Sequence, residues 1–151
     1  EADPEYVLNK NFVKGFDHTS MIMVDRSMNT ETITMDSLGS FTETGDLASF
    51  NNGWKYTGED TANNAFTFTY TGQALYFTYK DTNSTAYGTA EIYIDGEYVT
   101  SLYANSSDGW NNPVIECVLR EKETATHTVE VRMAEDSLEK AFSILALGIV
   151  P

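Results

Sequence analysis

The stretch Phe66-Thr67-Phe68-Thr69-Tyr70-Thr71 constrains the fold of this chain more than any other. Three aromatic rings alternate with three threonines. A period of two puts all the rings on one face of a β-strand and all the hydroxyls on the other, whereas a helix would scatter the rings around its axis. Threonine and aromatic residues also fit a half-buried pleated surface better than a helix. The same pattern recurs. Residues 74–79 run as a second apolar strand, with Gly72-Gln73 expected as the turn between them. Ala90, Ile92 and Ile94 alternate with Glu91, Tyr93 and Asp95. Asp95-Gly96 then gives a strong hairpin signal, because both residues tolerate the positive φ of a tight turn, with a return strand over 98–103.

Further strands are expected over 114–120 and 126–133, the latter with Val129, Val131 and Met133 inward and Thr128, Glu130 and Arg132 outward. Residues 142–150 are apolar on both faces, as a central covered strand would be. The polar link 134–140 suits a turn or one short helical turn. In the first third, 20–25 and 30–35 read as strands. Residues 38–54, with Gly39, Gly45 and Gly53, read as a strand plus a long loop. No stretch carries helical periodicity over a useful length. The expectation is an all-β fold, a β-sandwich of the jelly-roll kind with about eight to ten short antiparallel strands. Residues 20–151 form the single domain. Residues 1–19, opening Glu1-Ala2-Asp3-Pro4, are expected to be a linker cut from a longer chain, with no secretory leader pattern in them.

Charge narrows the partners. Nine basic against 23 acidic residues give a formal charge of −14. That field repels nucleic acid and anionic lipid, which are held by Lys and Arg, and leaves neutral glycans allowed. No apolar run reaches the ~18 residues of a membrane span. Cys117 is the lone cysteine, so no internal disulfide forms; in its strand-like run it is expected as a buried thiol. Extracellular placement in a bacterium is compatible with the missing disulfide.

The residues suited to binding sit in loops. Gly109-Trp110-Asn111-Asn112-Pro113 joins an indole to two amides, a flexible glycine and a rigid proline, between two strands. Sugar rings stack their C–H faces on indole or phenol rings and pair their hydroxyls with amides and carboxylates. Trp110 would stack while Asn111 and Asn112 donate and accept. The alternative is that Trp110 plugs the sandwich end and the amides bond the loop's own backbone. A long polar loop, 80–88, offers Asp81, Asn83 and Tyr87 as further ligand or domain contacts. Trp54, in Asn52-Gly53-Trp54-Lys55-Tyr56, is the second ring candidate; lacking a following amide pair, it is the one assigned to the core. Asn83-Ser84-Thr85 and Asn105-Ser106-Ser107 fit the glycosylation triplet.

Catalytic signals are weak. The two histidines are His18 and His127, the latter expected as a solvated or edge residue. There is no Gly-x-Ser-x-Gly elbow and too few Cys and His for a zinc site. Oxygen ligands abound, so a structural Ca²⁺ can be accommodated, but no ligand-spaced loop is visible. No cofactor is expected.

Several stretches together carry a resemblance: 50–56, Gly88-Thr89-Ala90-Glu91-Ile92-Tyr93-Ile94-Asp95-Gly96, the Trp110 loop, His127-Thr128-Val129-Glu130-Val131-Arg132-Met133-Ala134-Glu135 and 142–148. From Phe50 onward the chain resembles the β-sandwich accessory domain found beside SGNH/GDSL-type hydrolases and carbohydrate esterases of Firmicutes. The resemblance implies a jelly roll similar to carbohydrate-binding modules, within a secreted or cell-surface glycan-degrading enzyme. It implies no catalysis here, because the hydrolase blocks are absent: Gly45-Asp46-Leu47 lacks the serine of a Gly-Asp-Ser start. Two functions follow as expectations. One is a non-catalytic module binding neutral plant polysaccharide. The other is a structural partner that packs on an adjacent SGNH hydrolase and shapes its cleft.

Overall fold

The structure, a computed structural model, describes residues 21–28 and 30–151. The linker expected over 1–19, with His18 in it, lies outside the described residues. Among the described residues nine strands follow in order: β1 Ile22–Val24, β2 Ile33–Ser37, β3 Phe41–Thr42, β4 Trp54–Tyr56, β5 Phe66–Asp81, β6 Thr89–Ile94, β7 Glu97–Tyr103, β8 Asn112–Met133 and β9 Phe142–Val150. All their pairings are antiparallel. The hydrogen-bonded path runs β3-β4-β9-β5-β8-β6-β7, with β1 added on β9 and β2 on β5.

Two long strands turn this path into a sandwich. β5 does not stop at Gly72-Gln73; the turn expected there is instead a bend within one 16-residue strand. Its first half lies between β2 and β8, and its second half between β9 and β8. Phe68 and Phe77 are nine residues apart in this strand, about 30 Å if extended, yet their rings stand 6.1 Å apart. The strand therefore folds back over itself and contributes to both layers. β8 bends with it, merging the two strands expected over 114–120 and 126–133 into one of 22 residues. At the bend the register passes from Gly72↔Ala125 to Ala74↔Arg120, so Gln73 on β5 faces four residues, 121–124, on β8. The outer strand of a bend must cover more path, and the extra residues supply it. Glycine is required on the inner side, because a Cβ at Gly72 would come within 2.6 Å of the Val150 carbonyl oxygen and 2.8 Å of Ile149 Cγ2.

The rings of the Phe66 stretch fill the space between the layers, as their alternation predicts. Phe66, Phe68 and Tyr70 are all but fully buried. Phe66 meets Phe41 at 5.3 Å and stands edge-on to Trp54 at 5.4 Å. Each such ring stabilises the fold by about 1.5–3 kcal/mol through burial and each ring pair adds roughly 0.5–1.5 kcal/mol. β9 is buried along all nine residues, as expected for a covered central strand. The link before it contains a single 3₁₀ turn, Glu135–Ser137. The Asp95-Gly96 hairpin forms, with φ of 53° and 87° at the two turn residues.

Cys117 corrects its expectation: it is exposed. The strand's phase explains this. Val118 takes the inward position, and Pro113, Ile115 and Cys117 alternate onto the outer side.

Candidate functional site

The loop after β7 and the loop after β5 are sewn together at one rim of the sandwich. Thr82 does most of the sewing. Its amide and hydroxyl both donate to the Ala104 carbonyl, at 3.0 and 2.8 Å, and its own carbonyl accepts from the Ser106 amide at 2.8 Å. Gly109 then lies so close that a Cβ there would be 2.2 Å from the Thr82 oxygen. Only glycine lets the chain pass at that distance.

This packing pushes Trp110 outward, leaving it 73% exposed. The alternative in which the indole plugs the sandwich end is excluded. Asn111 takes a left-handed φ of 67°, a conformation asparagine tolerates better than most residues. It is exposed beside the ring. Asn112 is half-buried, and its Oδ1 accepts the Trp110 amide at 2.9 Å. One amide of the pair thus fixes the loop while the other faces solvent with the indole.

Asp81 supports the rim from beneath. It is directly across from Asn112 in the β5–β8 register and is buried. Its Oδ2 accepts the Ser106 hydroxyl at 2.7 Å, whereas the enclosed Oδ1 has no partner. Asn83, next to Thr82, is exposed on the same loop. Trp110, Asn111, Asn112, Asp81 and Asn83 are therefore brought together, the first two and Asn83 accessible, the others as supports. Both glycosylation-triplet asparagines, Asn83 and Asn105, are exposed on these loops.

The two remaining candidates lie elsewhere. Trp54 is 2% exposed against Phe66, so its role as a ligand-stacking ring is corrected to the core role that the missing amide pair favoured. Tyr87 belongs to a polar cluster the sequence did not reveal. Its hydroxyl donates to Asp46 Oδ2 at 2.6 Å, an oxygen that also accepts from Ser143 at 2.6 Å. Lys55 and Lys80 each reach Asp46 Oδ1 at 3.3 Å. Both ammonium groups also lie over the Tyr87 ring, at 5.6 and 5.1 Å. Burial pushes the Asp46 carboxyl up, but the two hydroxyl donors and the two cations outweigh it and hold it below its ordinary range. Burial and the Asp46 carboxylate raise the Tyr87 phenol, keeping it protonated. The cluster ties the 43–53 loop to β4, β5 and β9. The only sequence signal was Gly45-Asp46, which draws attention just as an incomplete hydrolase motif.

His127 is also less solvated than expected, its side chain 14% exposed. Nδ1 stands 2.6 Å from Asp95 Oδ2 and Nε2 2.7 Å from Glu121 Oε1. Burial lowers its basicity, but the two carboxylates override that and leave its pKa above 6.5. With both nitrogens engaged it is a clasp across the β8 bend, lacking the open lone pair a general base needs. Among the described residues no group of three or more His, Cys, Asp or Glu side chains is placed to hold a metal ion.

No family model matches the chain, and no curated protein matches it in sequence. Solved structures do. A two-domain esterase active on acetylated mannans, co-crystallised with mannopentaose, superposes with a TM-score of 0.61 at 19% identity, over 85% of this chain and 36% of that one. An acetyl xylan esterase from the rumen bacterium Butyrivibrio proteoclasticus gives 0.52 at 13% identity, over 85% and 31%. The CBM36-1 domain of a multidomain xylanase from the hindgut metagenome of Trinervitermes trinervoides is covered over 94% of its length, with a TM-score of 0.48 and 17% identity. The chain thus has the β-sandwich fold that occupies about a third of the length of these esterases. The esterase neighbours agree with the fold that the sequence resemblance implied, a β-sandwich of the kind carried by carbohydrate esterases.

Proposed function

We propose that this domain is a non-catalytic module of a secreted glycan-active esterase of the SGNH type, and that it holds neutral polysaccharide at the Trp110 rim. The supporting observation is the indole: a ring 73% exposed, on a loop fixed by Gly109 and Asn112, is pre-set to stack on a sugar. Exposed Asn111 and Asn83 supply amides for hydroxyls. The formal charge of −14 favours a neutral ligand. A ring stack contributes on the order of 1 kcal/mol beyond its area, so the affinity is in the micromolar to millimolar range. Affinity electrophoresis through gels cast with xylan, glucan or mannan tests the reading. Retardation on at least one of them, weakened in Trp110→Ala, supports it; unretarded migration on all three, or retardation undiminished by the substitution, refutes it.

A second reading draws on Asn112, whose amide oxygen is spent on the turn, and on the esterases' greater length. In it the same rim packs on an adjacent hydrolase domain and completes that domain's cleft. It predicts that Trp110→Ala lowers the activity of the full-length enzyme while the separate sandwich binds no glycan.

A further inference from the structure

The outer face of the β8–β6–β7 layer carries a second built surface, made of residues outside the Trp110 loop. The registers Thr67↔Glu130, Glu130↔Tyr93 and Tyr93↔Tyr98 place four side chains in one row across β5, β8, β6 and β7. Neighbouring strands are about 4.8 Å apart, so the row spans about 14 Å. A second row two residues along contains Arg132, Glu91 and Ser101, which are also directly opposed.

Tyr98 joins this face only because β7 is irregular. The pairing passes from Ile92↔Thr100 to Tyr93↔Tyr98, leaving Val99 as an extra residue. In a regular strand Tyr98 would share the inward side of Leu102, which is fully buried. The bulge reverses its direction and sets it beside Tyr93, leaving it 55% exposed. The extra residue thus re-aims a large ring from the core side to the solvent face.

The rings and charges here are held in place by each other. Tyr93 and Tyr98 meet edge to face at 5.8 Å. The Arg132 guanidinium lies 4.5 Å from the Tyr93 ring centre and bonds Glu130 at 3.3 Å. The Tyr93 hydroxyl donates to Glu91 at 3.1 Å, and the Tyr98 hydroxyl pairs with Ser101 at 2.7 Å. Each carboxylate uses few of its four acceptor positions in these bonds.

We infer that this row is a second carbohydrate site, one that takes a neutral glycan strand lying across β8, β6 and β7. The exposed Tyr98 ring offers a stacking face, while Tyr93, covered by Arg132, steadies it, and Glu91, Glu130 and Arg132 offer acceptors and donors for sugar hydroxyls. Two carboxylates against one guanidinium leave the face with a net negative charge, which excludes an acidic glycan or a phosphate. The inference does not depend on the Trp110 rim, since it rests on different residues.

The test uses the whole chain carrying Trp110→Ala, with mannohexaose, cellohexaose and xylohexaose as probes. Amide chemical-shift titrations are run before and after adding Tyr98→Ala, a change at an exposed site that leaves the core intact. The expected result is residual binding to at least one hexaose in Trp110→Ala, with shifts centred on residues 91–93, 98–101 and 130–132. Tyr98→Ala should weaken that binding at least tenfold. Loss of all binding with Trp110→Ala alone overturns the inference, as does residual binding that Tyr98→Ala leaves unchanged. Absence of binding by the unmodified chain to all three probes also overturns it and leaves the row as a contact surface for another domain.

Discussion

Replacing Asp46 with alanine should be the most damaging polar substitution in the domain. The carboxylate accepts two hydroxyls at 2.6 Å and two ammonium groups at 3.3 Å, and its side chain is 14% exposed. A hydrogen bond to a charged group contributes about 1.5–3 kcal/mol, and removing one member of a largely buried ion pair costs about 3–5 kcal/mol. These contributions overlap, and Lys55, 23% exposed, can turn to water. The net cost is therefore about 3 kcal/mol, or roughly 6–12 °C in Tm for a domain of this size. Urea unfolding at pH 7, followed by circular dichroism, measures it. Asp46→Asn keeps the shape and the hydroxyl partners but not the charge, so it should fall between the two. The pH dependence follows from the sign of the shift. The folded carboxyl lies below its unfolded value of 3.8, so the stabilisation is fully present above that value. It is lost as pH falls through the lower folded value. The gap between parent and Asp46→Ala should be flat between pH 5 and 8 and close only in stronger acid. A gap under 1 kcal/mol at pH 7, or one that persists unchanged into acid, would refute the reasoning.

Two other perturbations test the bend. The His127 imidazole has a folded pKa above the ordinary 6.5, so its contribution is complete below pH 6.5 and declines as pH rises through the raised value. Urea midpoints should fall across that window in the parent and not in His127→Gln; parallel profiles would contradict the clasp. Gly72→Ala forces a methyl to within 2.6 Å of backbone at Val150 and should cost about 1–3 kcal/mol. A thermal melt unchanged within error would show that the bend is looser than described.

The sequence was most legible where a single period governed a whole segment. The Phe66 stretch, the Ala90–Ile92–Ile94 alternation and the Asp95-Gly96 turn all took the form expected of them, because local pattern and burial point the same way. Gly72-Gln73 misled because a glycine serves a turn and a close approach equally well; the Val150 backbone that demands it is 78 positions away. The same holds for β8, whose break at 121–124 is a bend imposed by its partner's shorter path. At the rim, the exposure of Trp110 and the burial of Trp54 followed from their neighbours, an amide pair in one case and a strand opening in the other. Tyr87 was placed with the ligand residues because its loop is polar, but its hydroxyl goes to Asp46, 41 positions earlier. Nothing local to either residue announces that bond. Tyr98 is the opposite case: simple alternation from Leu102 would put it inside, and only the extra residue at Val99 puts it out.

Tryptophan fluorescence reports whether the Trp110 indole meets a glycan. The chain has two tryptophans, one 2% and one 73% exposed, so a ligand that covers the rim moves the emission of one of them. Titration of the chain with mannohexaose, cellohexaose and xylohexaose should give a saturable blue shift with at least one, absent in Trp110→Ala. Emission that stays constant to millimolar concentrations of all three, or a shift that persists without Trp110, would contradict that contact.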